Sequence, residues 1–493
     1  MKHYLAIDLG ASSGRAILGH LEGDRLDFEE VHRFPNGGLD VNGRLVWNLL
    51  GLFAEIKTGI RKALERQVAL AGIAVDTWGV DFALIDRDGN LVGHPFHYRD
   101  AHTARVFDWV FDQVPREEFY AATGIQFMNF NSIFQLATLK RDRSPALEAA
   151  DKMLPMPNAL TYLLCGQVAA EYTHATTTEA YNPLTHDWAW PLIARLGLPR
   201  HLFPPVVRPC TLAGPLRPAI CEELNCPPIP VILAGSHDTA SAVAAVPARP
   251  GQPNWAFLSS GTWSLLGVEL DQPCLTPAAC AAGFTNEGCI DGRIRFLKNI
   301  MGLWLVQESR NTWNRQGRNL TFRELDKQAA AAPALKAFVN PNDSRFLAPG
   351  DMPARIQAFC RESGQPVPET PGEVVRCAQE SLALFYRLTI EEAEALTGRR
   401  IETLHLVGGG SQDEQLNRFT ANATGRTVVA GPVEATAIGN LLAQAIATGQ
   451  IAGPEPARAV VRNSFQTTEY RPEDTARWES ACRRFRTVVE SAR

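Results

Sequence analysis

V-I-L-A-G-S-H-D-T-A-S-A-V, residues 231–243, carries a strand, a break and a helix start in direct succession. Residues 231–234 are a short apolar run, the pattern of a buried strand. Gly235 and Ser236 break it, and the small residues 239–243 begin a helix. His237 and Asp238 therefore fall where the C-terminal end of a strand meets a helix, the place where open α/β sheets bind ligands. Asp238 has two readings here. It caps the helix, as Asp, Ser and Thr commonly do, or its carboxylate faces a ligand. Two glycine-rich turns, one on each side of the stretch, weigh toward the ligand.

On the N-terminal side, residues 2–9 alternate as a strand, G-A-S-S-G (10–14) is a turn, and 15–20 and 25–33 are further strands. No helix follows the turn at once and there is no G-K-[ST], so it is neither a P-loop nor a dinucleotide fingerprint. Its small residues leave backbone N–H groups to line an anion pocket. Asp8, just before it, is placed to hold a magnesium ion through water. An ordinary hairpin with a glycine-rich bend is the alternative. On the C-terminal side, residues 256–259, the Ser260-Gly261 turn and residues 262–266 repeat strand, turn, strand. One such hairpin in each half implies a duplicated architecture.

Between and beyond the turns, the pattern is mixed. Asn48 caps a helix with Leu49, Phe53, Ile56, Ile60 and Leu64 on one face. Residues 72–75 are a buried strand running into D-T-W-G-V-D (76–81). Residues 82–85 are a strand entering an Asp88-Gly89 hairpin, and 91–98 return to Arg99-Asp100. Asp76, Trp78, Asp81 and Arg99 at strand ends suit a polyol, whose C–H surface packs on aromatic rings while carboxylates accept from its hydroxyls. A twisted sheet edge with solvated charges is the alternative. Residues 103–230 are mainly helix and loop, with Val106, Phe107, Val110, Phe111 and Val114 on one face. The threonine-rich patch 173–178 has no assignable chemistry. Residues 299–307 begin a helix. Thr370 and Glu373 make a capping box with Pro371 at the first helical position, for a helix ending near Gly398. Residues 403–407 are a strand running into Gly408-Gly409-Gly410, and Ser411 with Glu414 makes a second capping box. A strand, three glycines and a helix N-terminus let a nucleotide lie close to backbone. Residues 428–430 are the last buried strand, and 434–444 a small-residue helix suited to close packing.

A chain of 493 residues is expected to hold two or more domains. Its 45% hydrophobic and 20% charged content is that of an ordinary globular protein. A net charge of -5 with no basic run gives no reason to propose nucleic acid or an acidic membrane as partner. The apolar start stops at Asp8, so no signal-peptide core is expected, and no apolar run is long enough to span a bilayer. A cytoplasmic location is expected. The ten cysteines are scattered, with no C-x-x-C and no zinc spacing, which reads as buried free thiols. Cys360 and Cys377 are expected to stay unpaired in a reducing cytosol. No metal site is expected at His94 and His97, an H-x-x-H in strand-like sequence.

Six stretches together resemble the sugar kinases of the FGGY family, within the actin-like ATPase superfamily. They are I-D-L-G-A-S-S-G-R (7–15), I-A-V-D-T-W-G-V-D-F (73–82), S-H-D-T-A-S-A (236–242), L-S-S-G-T-W-S-L (258–265), K-N-I-M-G-L-W-L (298–305) and G-P-V-E-A-T-A-I-G-N (431–440). The resemblance covers nearly the whole chain and is most similar to the branch that acts on L-rhamnulose. Ala11 stands where most of the family has threonine, and His237-Asp238-Thr239 where an Asp-Gln or Asp-Asn pair is usual. Ala11 agrees with that branch. The resemblance implies an α/β fold of two actin-like (ribonuclease H-like) ATPase domains, residues 1–245 and 246–493, with an intervening cleft. It implies transfer of the ATP γ-phosphate to O1 of L-rhamnulose. By the same resemblance, Ala11, Ser12, Ser13, Gly14 and Arg15 would hold the ATP phosphates and Asp8 the Mg²⁺. Thr262, Gln307 and Gly410 would contact the nucleotide. Gly79, His237, Asp238, Thr239 and Asn299 would contact the sugar, with Asp238 as the base. A kinase for L-fuculose or L-xylulose, or a non-catalytic sensor of sugar and ATP, is the alternative.

Overall fold

The apolar alternation of the N-terminal segment becomes a hairpin in the computed structural model, which describes residues 1–252 and 254–491. Strand Lys2–Leu9 pairs antiparallel with Ser13–Glu22, bringing Leu9 opposite Gly14 and Asp8 opposite Arg15. The turn is therefore tighter than the five residues expected. Gly10 N–H closes it on Ser13 O at 2.9 Å. Asn36 holds it from outside, donating from its side chain to Gly10 O at 2.7 Å and from its backbone to Ser12 O at 3.2 Å. The other edge of Lys2–Leu9 takes Leu70–Thr77 as a parallel neighbour, with Asp8 opposite Asp76. Pro230–Leu233 then pairs parallel to Leu70–Thr77, and Thr211–Pro215 antiparallel to Pro230–Leu233. Tyr4, Leu5, Ala6 and Ile7 are all buried, the continuous apolar run of a strand covered on both faces.

A second sheet repeats this order. Trp255–Ser260 pairs antiparallel with Trp263–Leu270 and parallel with Thr403–Val407. Thr427–Ala430 follows parallel, and Thr468–Tyr470 closes the edge antiparallel. Hairpin, parallel neighbour, second parallel neighbour, antiparallel edge: the duplication expected from the two turns is present in the strand order. Thr468–Tyr470 is largely exposed, so residues 428–430 lie in the last buried strand, as expected.

The chain divides into two compact units that are not continuous in sequence. The first holds Met1–Pro250, Glu269–Phe296 and Glu434–Phe465, and the second Gly251–Val268, Leu297–Val433 and Gln466–Arg493. A single division at 245/246 would assign Glu269–Phe296 and Glu434–Phe465 to the other half.

Several local signals behave as expected. Asn48 accepts from Gly51 N at 3.0 Å and starts helix Leu49–Leu64, although Phe53 and Leu64 are half-buried and Leu52 and Ala63 take core places on its face. Thr370 and Glu373 form the capping box of helix Pro371–Thr397, which stops at Gly398 with φ 67°. Others differ. Residues 91–98 do not form the return strand. Gly93 has φ 71°, Pro95 interrupts the run, and Phe82–Ile85 pairs instead with Lys152–Pro155. Asn299 lies on strand Ile294–Met301, and the helix begins only at Trp304. The cap of helix Glu414–Thr424 is Asp413, which accepts from Leu416 N at 2.9 Å, while Ser411 Oγ bonds back to Gly408 O at 2.7 Å and closes the glycine turn. All ten cysteines are free, but only Cys289, Cys360, Cys377 and Cys482 are buried. Among the described residues no helix is long and apolar enough to cross a membrane.

Within the first unit, helix Asp238–Ala244 packs on helix Ala435–Ala447, and a Cβ at Gly439 would run into the carbonyl of Ser241. Gly439→Ala gains helix propensity worth ~1 kcal/mol, but overpacking against a backbone that cannot swing aside costs ~1–3 kcal/mol. The clash is expected to win, lowering the urea midpoint. A variant as stable as the parent would show that the helices are not this closely apposed.

Candidate functional site

Three strand ends of the first unit are brought level by backbone pairing. Asp8 stands opposite Asp76, and Thr77 N–H donates to Ser236 O at 2.9 Å. Ser236 leads directly into His237 and Asp238. Asp238 is the first residue of its helix, and His237 holds the cap position without a side-chain cap bond. The cap reading of Asp238 is therefore set aside. Its Oδ1 accepts from Thr239 Oγ1 at 3.1 Å and lies 3.4 Å from His237 Nε2, and the side chain keeps 31% of its surface exposed. Crowding by protein pushes its carboxyl above the usual range; His237 pulls the other way and the charge of Asp8 adds to the rise.

Asp8 and Arg15 meet at 2.5 Å, and Arg15 also pairs with Glu434. Arg15, expected at the phosphates, thus spans two carboxylates. Glu434 lies in the family-like stretch 431–440, where the sequence assigns it no role. Asp76 is fully buried; Asn440 Nδ2 donates to its Oδ2 at 2.6 Å, and Oδ1 has no partner. Burial first, then the charge of Asp8, pushes its carboxyl well up.

The threonine patch without assigned chemistry is the scaffold beneath His237. Glu171 accepts from Thr173 N, Thr173 Oγ1 and Ser236 N at 2.8, 2.6 and 3.0 Å. Thr173 Oγ1 in turn accepts from His237 N at 3.3 Å, and Thr176 Oγ1 from Gly288 N at 2.9 Å. Gly79 sits against the same imidazole: a Cβ there would lie 3.3 Å from His237 Nε2 and 3.4 Å from Thr177 Oγ1. Val80 beside it has φ 69°, a strained value for a β-branched residue, and Ser132 Oγ holds its carbonyl at 2.5 Å. Gly79, His237, Asp238 and Thr239 are thereby grouped in the first unit, while Asn299 belongs to the second, where its carbonyl accepts from Asn342 at 3.2 Å.

Asp81 is not available to a polyol. Its Oδ2 accepts from Trp47 Nε1 at 2.6 Å, Trp78 Nε1 at 2.9 Å and Tyr98 N at 3.2 Å, and its Oδ1 from Gln135 Nε2 at 2.9 Å. It is fully buried beneath two stacked indoles, whose centroids are 3.8 Å apart. Burial pushes its carboxyl up to about 7, against the pull of those four donors. His97 lies in the same stack, against Trp47.

In the second unit, Thr262 Oγ1 donates to Gln307 Oε1 at 3.0 Å, and Gly302 N and Trp304 N both donate to Thr262 O at 3.2 Å. The turn at Gly261 is thus fastened to the start of helix Trp304–Arg315. Gly408 takes φ 87°, and a Cβ at Gly410 would strike Ser260. Thr262, Gln307 and Gly410 accordingly surround one turn, closely backed by backbone.

Asp8, beside an orphaned buried oxygen of Asp76, fits a hydrated divalent cation, which takes carboxylate and water oxygens. Among the described residues there is no group of three or more His, Cys, Asp and Glu side chains that could hold a metal ion.

Sequence models of the FGGY family of carbohydrate kinases match residues 3–245 (N-terminal domain) and 256–448 (C-terminal domain). The chain is 45% identical to a rhamnulokinase of Bacteroides thetaiotaomicron over 488 residues, covering 99% of each. It is 38% identical to a rhamnulokinase of Bacillus subtilis over 474 residues, covering 96% of each. Its fold is similar to xylulose kinase from Lactobacillus acidophilus, with TM-score 0.81 at 15% identity over 100% of this chain and 98% of that one. It is also similar to Plasmodium falciparum glycerol kinase with ADP, with TM-score 0.79 at 14% identity over 100% and 98%. The expected two-domain actin-like fold is thereby established.

Asp81 offers a test of the buried indole site. A carboxyl raised on folding binds its proton more tightly in the folded chain. Its stabilising contribution is full below the unfolded value of about 3.9 and is lost as pH rises to about 7. Asp81→Asn is expected to flatten the stability–pH curve over that window, read as urea midpoints. A variant curve parallel to the parent's would assign the slope to other groups.

Proposed function

We propose that this chain, which belongs to the FGGY family of carbohydrate kinases, transfers the γ-phosphoryl group of ATP to O1 of L-rhamnulose, giving L-rhamnulose 1-phosphate and ADP. It is a carbohydrate kinase, and the family implies ATP as donor. The choice of L-rhamnulose rests on the rhamnulokinases it resembles along nearly its whole length. The observation that carries the mechanism is Asp238: a carboxylate at a strand end, not serving as the helix cap, partly open, and made more basic by its surroundings.

A sugar hydroxyl is a poor nucleophile until its proton is taken. Asp238 accepts the proton of O1, and O1 attacks the γ-phosphorus in line as the bond to the leaving oxygen of ADP breaks. Gly79, His237, Thr239 and Asn299 orient the ketose. The backbone of residues 11–15 and the group of Thr262, Gln307 and Gly410 hold the nucleotide, through N–H donors that offset the moving charge. Arg15 acts from its bridge between Asp8 and Glu434. Asp8 would hold Mg²⁺ through water, and the ion would supply positive charge to the phosphates. A cytoplasmic site of action, where ATP is at hand, is part of the proposal.

An ADP-release assay over a ketose panel tests the substrate. L-rhamnulose is expected to give the highest kcat/KM; L-xylulose, which lacks the methyl carbon, is expected to be lower by ~10–200-fold, and L-fuculose, which keeps the methyl and differs in the configuration of a hydroxyl-bearing carbon, is expected to be lower as well. Glycerol or D-xylulose as the best substrate would overturn the assignment. Asp238→Asn is expected to cut kcat by ~10²–10⁴ while calorimetry shows near-normal ATP binding. Asp8→Ala is expected to weaken Mg²⁺ dependence instead. An Asp238→Asn enzyme with most of its kcat would remove Asp238 as the base.

A further inference from the structure

We propose that Arg295, backed by Glu287, is a positioning residue for phosphoryl transfer: it holds His237 as a neutral imidazole with its single proton on Nε2, the nitrogen that faces Asp238. The proposal rests on the reading of Asp238 as the base.

Arg295 is fully buried, and its Nη2 lies 3.2 Å from His237 Nδ1. A guanidinium can only donate, so Nδ1 must accept, and the ring proton is left on Nε2. Nε2 lies 3.4 Å from Asp238 Oδ1 and against Gly79. The guanidinium is anchored from behind by Nε donating to Gly288 O at 3.0 Å. Glu287 Oε2 supplies the countercharge, 3.3 Å from Arg295 Nη2 and 3.3 Å from His237 Nδ1. Burial opposes charge on Glu287, and the Arg295 guanidinium beside it favours that charge.

A second proton on His237 would have to enter at Nδ1, against a fixed donor carrying a permanent positive charge. Glu287 and Asp238 favour that proton; Arg295 opposes it. The remaining neighbours are His174, with its ring centroid 6.3 Å away and held neutral by burial, and Glu171, which accepts from Ser236 N on the backbone. The contact geometry decides: Arg295 meets Nδ1 in a hydrogen bond, whereas Glu287 Oε2 has no hydrogen-bond partner. The chemical consequence concerns Asp238. An imidazolium beside it would form an ion pair and make it a poorer base. A neutral Nε2–H donates one hydrogen bond, steadies the carboxylate and leaves it able to take a proton.

The protein labelled with ¹⁵N-histidine reports the tautomer directly, with the His237 signals identified by their loss in His237→Gln. The Nε2–H tautomer is expected in the intact enzyme at about pH 7.5. The Nδ1–H tautomer or an imidazolium would overturn the proposal. In Arg295→Gln the permanent charge is gone, and Nδ1 is open to a second proton. The acid limb of kcat is then expected to move up, with a loss of several-fold at pH ~6 that recovers toward the parent at pH ~8.5 and an unchanged KM for ATP. An equal loss at every pH would mark Arg295 as structural only and overturn the proposal. If Arg295→Gln does not fold, the tautomer in the intact enzyme still decides. Failure of the base reading is separate: it appears as Asp238→Asn keeping its kcat, whatever the tautomer of His237.

Discussion

Parallel strand register is the constraint on which the site depends. Asp8 faces Asp76 because Lys2–Leu9 and Leu70–Thr77 run parallel in one register, and Thr77 N–H to Ser236 O extends the alignment to the strand that leads into Asp238. A slip of one residue would turn each of these side chains to the opposite face. The register is held from one side by helix Ala435–Ala447. There Gln444 donates to Leu5 O at 3.1 Å and to Asn440 Oδ1 at 2.8 Å, and Asn440 donates to Asp76. This buried amide ladder ties the strand that carries Asp8 to the one that carries Asp76, which is why a helix of small residues bears two long polar side chains.

That alignment concentrates negative charge. Asp8 and Asp76 are buried neighbours, and Asp238 feels the charge of Asp8 and itself raises Asp76. Burying like charges is costly unless they are paired or neutralised. Arg15 compensates Asp8 but shares itself with Glu434, and Asn440 offers Asp76 only a neutral donor. The arrangement is left short of positive charge beside Asp8 and Asp76. Asp238 is raised by burial first, with the charge of Asp8 adding to the rise.

What the sequence disclosed was what is local. The strand-to-helix passage at residues 231–243, the two strand–turn–strand hairpins and the Thr370 capping box are written in adjacent residues, and their physics needs no distant partner. The roles of Glu434, Asn440, Glu287 and Arg295 are set by side chains remote in sequence, and nothing beside them marks their function. The threonines after Glu171 were visible as a polar patch, but only the fold shows that they support Ser236 and His237. Two misses had a readable cause. Pro95 inside the run 91–98 already argued against a strand, and Asp413 was as good a cap candidate as Ser411, a choice that only geometry makes.

Asp76, Asp81 and Asp238 share one side chain, and all three are raised by burial. Their partners make the difference. Asp81 is saturated by four donors and serves as the hub that fixes two indoles and a tyrosine backbone. Asp76 has one donor and one orphaned oxygen, sealed from solvent. Asp238 alone among them combines an open face with a light set of partners, Thr239 and His237. A base must be able to gain a proton without first surrendering a hydrogen bond that the fold needs. Asp81 fails that condition because its acceptor sites are occupied by protein, and Asp76 because it has no open face through which a substrate hydroxyl could approach. Of the three, only Asp238 meets that condition by its surroundings.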